Sequence, residues 1–206
     1  MNSRIALATL LGALSLGAAA QGEPRPARAG DVAIYSGEAR TDKQRFEETV
    51  TILGVEAGQV RTRHQRSDRP SPTEGLYTRD WGTVRSGNTG SHYEPAASPV
   101  KQPLEVGRTW EEVYQGKSAT GALFRIKMES TVVAREKLTT AAGEFDTFRI
   151  EAKAYLSGLS FQGGFGIAQK TWYAPAIDRV VRYEYKEQRT LGADNVSELK
   201  AFKPAD

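Results

Sequence analysis

The sequence contains no cysteine, only two histidines and only two methionines in 206 residues. Without cysteine the chain can form neither a disulfide nor a zinc–thiolate site. His64 and His92 are too few to build a metal site from imidazoles, and we expect both at the surface, because one has charged neighbours and the other lies in a polar stretch. No nucleophile elbow, zinc-protease motif or phosphate-binding loop occurs. The sequence therefore predicts no catalytic residue, no metal and no cofactor, and the protein is not expected to be an enzyme.

Long apolar runs are scarce, and the one that is present lies at the N-terminus. Arg4 precedes an apolar stretch over residues 5–16, and small residues at 18–20 precede Gln21. This is the pattern of a cleaved signal peptide, and the run is shorter than the ~20 residues that span a bilayer. We therefore expect residues 1–20 to be removed. The mature protein is then periplasmic or extracellular, with no transmembrane segment.

Charge of one sign is not in large excess, since the formal net charge is only +3. With no recognition motif, nucleic acid is not an expected partner. Basic residues do cluster at Arg61, Arg63, Arg66 and Arg69. Such a cluster is either a site for an anionic partner or the solvated face of a strand and its loop.

What the chain has in quantity is alternation of apolar and polar residues. The segment 170–186 (KTWYAPAIDRVVRYEYK) reads as two alternating runs around a proline-containing turn at 174–178, the pattern of a β-hairpin. Residues 122–136 and 144–156 alternate in the same way, with Gly143 in the turn between them, and further strands are predicted at 31–37, 43–55, 59–66, 109–116 and 195–202. No helical stripe appears.

Long strands joined by short turns predict an all-β fold, a curled antiparallel meander that forms a half-barrel or open barrel. We expect residues 21–30 to be a flexible lead-in and residues 31–206 to be one domain. Residues 67–102, with four prolines and four glycines, are predicted to be an irregular loop apart from one strand at 76–84.

Three short motifs carry a resemblance over about residues 103–190. These are PLEVGRTW at 103–110, AGEF at 142–145 and WYAP at 172–175, and they resemble markers of a family of exported bacterial proteins of unknown function. The resemblance implies an open β-barrel or half-barrel, similar in outline to the periplasmic carriers that move lipoproteins between membranes. This chain has Ala141 where the family prefers proline, and Ala176 and Asp178 where it often has glycine. The family supplies no catalytic residues.

We expect a non-catalytic protein whose curled sheet binds a hydrophobic small molecule, such as a lipid or acyl chain. The residues predicted to line the site are the large apolar side chains on the apolar faces of their strands: Trp110, Tyr114, Phe124, Phe148, Trp172, Tyr183 and Tyr185. Three alternatives stay open. The same side chains can form a closed core, the apolar face or a sheet edge can dock an envelope protein as an accessory module, or loop 67–102 can carry an unrecognised hydrolase site.

Overall fold

The computed structural model describes residues 25–205, so the predicted signal peptide lies outside the described residues. Apart from one short 3-10 helix, the regular elements are twelve strands. They are β1 (Val32–Ala39), β2 (Gln44–Glu56), β3 (Gln59–Arg66), β4 (Thr73–Thr78), β5 (Thr83–Arg85), β6 (His92–Ala97), β7 (Thr109–Lys117), β8 (Leu123–Thr140), β9 (Gly143–Gly158), β10 (Gly164–Ala174), β11 (Arg179–Gln188) and β12 (Asp194–Lys203). Among residues 25–205, no helix has the length and apolar character needed to cross a membrane.

The twelve strands form one antiparallel sheet in which each strand pairs with its neighbours in the chain, and β1 pairs with β12 to close a barrel. The predicted all-β antiparallel meander is confirmed. The barrel is closed, whereas the sequence predicted a half-barrel or open barrel, and closure depends on a register running from Val32 opposite Lys203 to Ala39 opposite Asn195. A closed sheet has no free edge on which another chain could pair.

The alternating pattern separates the inside of the barrel from the outside. On β8, Phe124, Ile126 and Met128 are buried inside, while Arg125 and Lys127 point outward into solvent. Residues directly opposite one another on antiparallel strands share a face. The register therefore assigns each side chain to the interior or the exterior, strand by strand.

The β8–β9 hairpin is the longest element and extends past the barrel wall. A bulge between Val132 and Ala134 bends β8. Beyond the bulge, Leu138 and Phe145 pack against a buried cluster that contains Trp172. Because β8 also contacts β12, which is not its neighbour in the sheet, the outer half of the hairpin leans over the strands between them.

The two ends of the barrel differ. We call the end that carries the loops 40–43, 67–72, 86–91, 118–122, 159–163 and 189–193 the upper end, and the opposite end the lower end. The lower end is closed by the segment that precedes β1. Asp31 Oδ2 accepts hydrogen bonds from Arg25 (2.9 Å), the Arg28 amide (3.0 Å) and Arg179 (3.3 Å), and its Oδ1 accepts one from the Ala205 amide (2.8 Å). Residues 25–30 are the described part of the predicted flexible lead-in. They form hydrogen bonds both with Asp31, next to β1, and with Ala205, which follows β12.

The lower end is also closed by the loop after β4. Trp81 Nε1 donates a hydrogen bond to Asp178 Oδ1 (2.9 Å), and the Tyr173 hydroxyl donates to the same oxygen (2.7 Å). The Arg179 guanidinium lies 4.4 Å from the centre of the Trp81 ring. Asp178 ends the 3-10 turn Pro175–Ile177 in a left-handed conformation with φ of 51°, so the turn predicted at 174–178 is present.

Residues 67–102 differ from the prediction. They contain the three short strands β4, β5 and β6 rather than one strand in a loop, and the chain turns at 79–82, in the middle of the strand predicted at 76–84. Trp81 takes a positive φ of 64° in that turn. Strands of three to six residues, of which β6 contains Pro95, are too short to show a clear alternating pattern.

Candidate functional site

The upper half of the barrel interior has one strongly apolar wall, built by β7 to β10. Tyr114, Phe124, Ile126, Met128 and Ile167 are buried together there. Phe124 lies over Gly116 on β7, where a Cβ atom would come within 2.2 Å of its ring. The missing side chain at 116 therefore lets a large ring lie flat against the sheet.

Tyrosines from three strands converge on this wall. Tyr93 and Tyr114 meet edge to face with ring centres 5.7 Å apart. Tyr183 on β11 lies opposite Thr171 and Ser197, both on the inward face. Burial, followed by the proximity of Tyr185 and Tyr114, raises the pKa of Tyr183 above its usual range. Its hydroxyl therefore stays protonated and uncharged.

Tyr183 combines two properties that matter for a binding site. It lies deep inside the barrel wall, yet it keeps accessible surface, as does Tyr185 two residues further along β11. A side chain in a fully packed core keeps almost none. The space beside these two rings is accordingly not completely occupied by other side chains.

The wall that faces the aromatic wall carries small and polar residues together with the ring of Phe46, which lies over Gly37. Tyr183 is opposite Ser197, Ser197 is opposite Gly37, and Gly37 is opposite Phe46. The next inward residue on β12 is Asn195, opposite Tyr185. The interior at this level is therefore apolar on one side and able to form hydrogen bonds on the other.

The upper rim of this space carries a polar cluster on top of an aromatic ring. The Arg189 guanidinium lies 4.1 Å from the centre of the Phe165 ring, and Arg189 also pairs with Glu187 at 2.6 Å. Glu187 in turn accepts a hydrogen bond from the Tyr185 hydroxyl (3.1 Å). These four side chains, from β10, β11 and the loop after β11, stand between the interior and solvent.

The structure gathers only some of the residues predicted to line the site. Tyr114, Phe124, Tyr183 and Tyr185 lie together in the upper half. Trp110 and Phe148 also face inward, but they belong to a separate cluster in the lower half with Val132, Ile150 and Tyr173.

Trp172 lies away from all of these residues. It is directly opposite Arg149 and Arg182, which are outward-facing residues, while its neighbour Thr171 faces inward opposite Tyr183. Trp172 is buried because the β8–β9 hairpin leans over it, and its Nε1 donates a hydrogen bond to Glu136 (2.7 Å). The alternation of β10 puts Trp172 on the opposite face from the one that the prediction assumed.

A buried polar network lies in the interior on the β2–β4 side. His64 Nδ1 is 2.8 Å from Glu48 Oε1, and His64 Nε2 is 2.9 Å from Thr62 Oγ1 and 3.3 Å from the Tyr77 hydroxyl. A hydroxyl, an imidazole and a carboxylate in series are the arrangement of an activated nucleophile. Thr62, however, is 0% exposed, so no substrate can reach its oxygen. The arrangement stabilises the fold by satisfying buried polar groups.

This network corrects the expectation that His64 lies at the surface, since His64 is only 6% exposed. The sequence contained the necessary signal. Val60, Thr62 and His64 share one parity on β3, and Arg61 and Arg63 share the other. His64 therefore follows Val60 into the interior, while Arg61 and Arg63 of the basic cluster face solvent. Burial raises the pKa of Tyr77, on the next strand, to about 12.

The described part of the chain offers no ready metal centre. Among residues 25–205, no group of three or more histidine, aspartate or glutamate side chains is placed to hold an ion. The inner surface instead offers aromatic rings, neutral phenols and small polar groups, which suit an uncharged or amphiphilic organic ligand.

Comparison with known proteins identifies the fold. No family model and no curated protein matches the chain. A predicted lipoprotein from Parabacteroides distasonis aligns over 89% of this chain and 98% of its own, with a TM-score of 0.55 and 11% identity. A predicted exported protein with a YmcC-like fold from Bacteroides fragilis covers 89% of this chain and 100% of its own, with a TM-score of 0.54 and 12% identity.

The hypothetical lipoprotein YmcC from Escherichia coli aligns over 84% of this chain and 85% of its own, with a TM-score of 0.52 and 11% identity. The chain shares the YmcC-like fold. At these identities the likeness extends to the architecture and not to individual side chains. The three sequence motifs that suggested a family are not matched by any family model.

Proposed function

We propose that this protein is an exported, non-catalytic binding protein that holds a hydrophobic ligand, such as a lipid or an acyl chain, in the upper half of its barrel. The observation that carries the proposal is the accessible surface of Tyr183 and Tyr185 inside the wall, next to the buried cluster of Tyr114 and Phe124. A barrel of twelve strands is wider than the eight-stranded barrels whose side chains just fill the interior.

The two walls suit an amphiphile. The aromatic wall provides apolar surface for a hydrocarbon chain, and the opposite wall provides Ser197 and Asn195 for a polar group. A pocket that is mainly apolar with a few convergent polar groups is the usual form of a small-molecule site. Export is supported by the signal-peptide pattern at residues 1–20 and by the names of two fold neighbours as exported or lipoprotein-type proteins.

Entry of the ligand is proposed at the upper rim. Leu159 and Phe161 in the β9–β10 loop are 52% and 43% exposed, and Leu191 in the β11–β12 loop is 90% exposed. These two loops flank β10 and β11, whose residues Phe165 and Tyr185 lie at the rim of the aromatic wall. Exposed apolar side chains beside an opening favour the first contact with an apolar ligand.

The test is titration of the purified protein with the fluorescent fatty acid cis-parinaric acid. Ser197→Leu adds an apolar side chain to the space beside Tyr183, and we expect it to weaken probe binding by at least about tenfold, since it occupies the volume that the ligand needs. Ser36→Leu is the matched control, because Ser36 is exposed on the outer face of the neighbouring strand. It should leave binding unchanged.

Circular dichroism and thermal unfolding establish that both variants are folded. If Ser197→Leu does not fold, native mass spectrometry of the wild-type protein with added phospholipid replaces it, and a stoichiometric complex is expected. The proposal is contradicted if the wild-type protein and the two variants bind the probe equally well. It is also contradicted if folded wild-type protein binds no lipid.

A second candidate function, an accessory subunit of an envelope complex, is favoured by an apolar patch on the outside. Leu123, Tyr155, Leu159 and Phe161 are all exposed at the upper end of β8 to β10. Clustered apolar side chains on an outer surface are typical of a protein contact. If this function is correct, a second chain co-purifies with the wild-type protein and with the Ser197→Leu variant but not with Tyr155→Ser. This result distinguishes the accessory subunit from a lipid-binding protein.

A further inference from the structure

A groove of about 830 Å³ lies on the outer face near the upper end, where β4 to β7 meet the loops above them. It is separate from the barrel interior, because its charged and basic strand residues, Glu74, Arg85, His92 and Lys117, belong to the outward parity. The groove is lined by Thr73, Glu74, Arg85, Gly90, His92, Lys117, Ser118 and Ala119.

The register places the basic side chains of this groove side by side. Arg85 on β5 is directly opposite His92 on β6, and His92 is directly opposite Lys117 on β7. Residues in such positions have Cβ atoms about 4.5–5.5 Å apart, so the three side chains lie next to one another on the outer face. The sheet brings these groups together without an opposite charge between them.

The neutralisation of these residues is incomplete. The one carboxylate in the groove, Glu74, lies 3.9 Å from Arg85, at the limit of an ion pair. Within residues 25–205, Lys117 and His92 have no ion-pair partner, and the Arg85 Nε donor, although sheltered from solvent, has no acceptor. A buried donor without an acceptor costs free energy until a partner arrives.

A second outer groove, of about 520 Å³ on β8 to β12, provides the contrast. There cationic and anionic side chains alternate, and most of them pair with each other. Arg40 lies 3.7 Å from Glu184 and 3.6 Å from Asp194, and Lys186 lies 3.4 Å from Asp194. The same sheet therefore neutralises its outer charges in one groove and leaves three cationic or proton-donating groups adjacent in the other.

We propose that the groove between β4 and β7 binds a phosphate-like anion, with Arg85 and Lys117 supplying charge and His92 and the Ser118 hydroxyl supplying further donors. Hydrogen bonds from charged donors to an oxyanion are among the strongest that proteins make. The anion is either a free phosphate or the phosphate of a lipid headgroup. Lys117 is directly opposite the exposed Leu123, and the Leu123 carbonyl accepts a hydrogen bond from the Leu159 amide. Apolar surface therefore adjoins the charged groove.

Isothermal titration calorimetry with inorganic phosphate, and co-sedimentation with vesicles, test the proposal. The vesicles contain either phosphatidylcholine alone or phosphatidylcholine with phosphatidylglycerol. Arg85→Gln combined with Lys117→Gln should weaken anion binding by at least about tenfold, because it removes two charge-assisted contacts. Lys153→Gln combined with Lys203→Gln removes the same charge from exposed positions on β9 and β12 and should have little effect.

The two sources of phosphate give different results. A free anion is indicated by calorimetric binding of phosphate that the groove variant loses. A lipid headgroup is indicated if the protein sediments with the vesicles that contain phosphatidylglycerol but not with those of phosphatidylcholine alone. The groove variant, and Leu159→Ser combined with Phe161→Ser, should each weaken this sedimentation. Absence of both kinds of binding in wild-type protein, or equal binding by the groove variant and its control, overturns the proposal. Arg85 and Lys117 lie on the outer face, away from the proposed ligand entry, so the groove variant should leave cis-parinaric acid binding unaffected.

Discussion

At the scale of single residues, the parity of a strand position decides more than the chemical type of the side chain. His64 is polar and has basic neighbours, yet it is buried because it shares a face with Val60. Trp172 is apolar, yet it lies on the outer face because it shares that face with Arg182. Residue type predicts burial on average, whereas register assigns the face.

The His64 network leads to a prediction about stability. His64→Ala leaves Glu48 and Thr62 buried without their hydrogen-bond partner, so we expect the free energy of unfolding to fall by at least about 2 kcal/mol. His92→Ala is the control, because His92 is exposed, and its effect should stay within about 0.5 kcal/mol. Urea unfolding measures both variants. Similar small effects in the two would show that the Glu48–His64 contact contributes little.

At the scale of elements, the long β8–β9 hairpin and the segment before β1 give the barrel its asymmetry. The hairpin leans outward and covers Trp172, and the segment before β1 closes the lower end through Asp31. The sequence of the segment before β1, which is rich in alanine, arginine and proline, predicts flexibility. Contacts with Arg179 and Ala205, which are distant in sequence, determine its ordered position instead.

The closure by Asp31 predicts a dependence of stability on pH. Burial opposes ionisation of Asp31, but hydrogen bonds from Arg25 and from the amides of Ala205 and Arg28 outweigh it and hold the pKa below the usual 3.8. The lowered pKa contributes stability above the unfolded-state value of 3.8, and this stability is lost as the pH falls through the folded-state pKa.

Asp31→Asn should therefore lower the midpoint of thermal unfolding at neutral pH, and the difference from wild type should shrink as the pH falls below about 4. Asp42→Asn is the matched control, because Asp42 is exposed in the β1–β2 loop at the upper end. Thermal unfolding followed by circular dichroism across this pH range provides the measurement. A difference between Asp31→Asn and wild type that is independent of pH would contradict the role given to the carboxylate.

At the scale of the whole molecule, the pairing of β1 with β12 turns a meander into a barrel and brings Arg25 and Ala205 together. The Arg25 guanidinium donates a hydrogen bond to the Ala205 carbonyl at 3.0 Å. The last strand is therefore as necessary to the sheet as any central strand, since without it both β1 and β11 become free edges.

This closure predicts that a circular permutant will fold and that a truncated chain will not. Joining residue 205 to residue 25 through a short glycine–serine linker, and opening the chain between Thr190 and Leu191 in an exposed loop, keeps every strand pair. We expect cooperative unfolding of the permutant near the wild-type temperature. Removal of residues 194–206 should abolish cooperative unfolding and cause aggregation, and a soluble, cooperatively folded truncated chain would show that closure is dispensable.

The sequence by itself determined the all-β class, most of the strands and the inward set on β8, because alternation is a local property that a single strand displays. Only the tertiary structure decided closure, the short strands in 67–102 and the separation of Trp172 from the tyrosines. Each of these depends on which residue lies opposite which on a neighbouring strand, and on bulges such as the one at Trp172 that change the register. The seven aromatic residues proposed from sequence therefore divided into an upper group, a lower group and one outer tryptophan, because a strand's alternation gives its faces but not its partners.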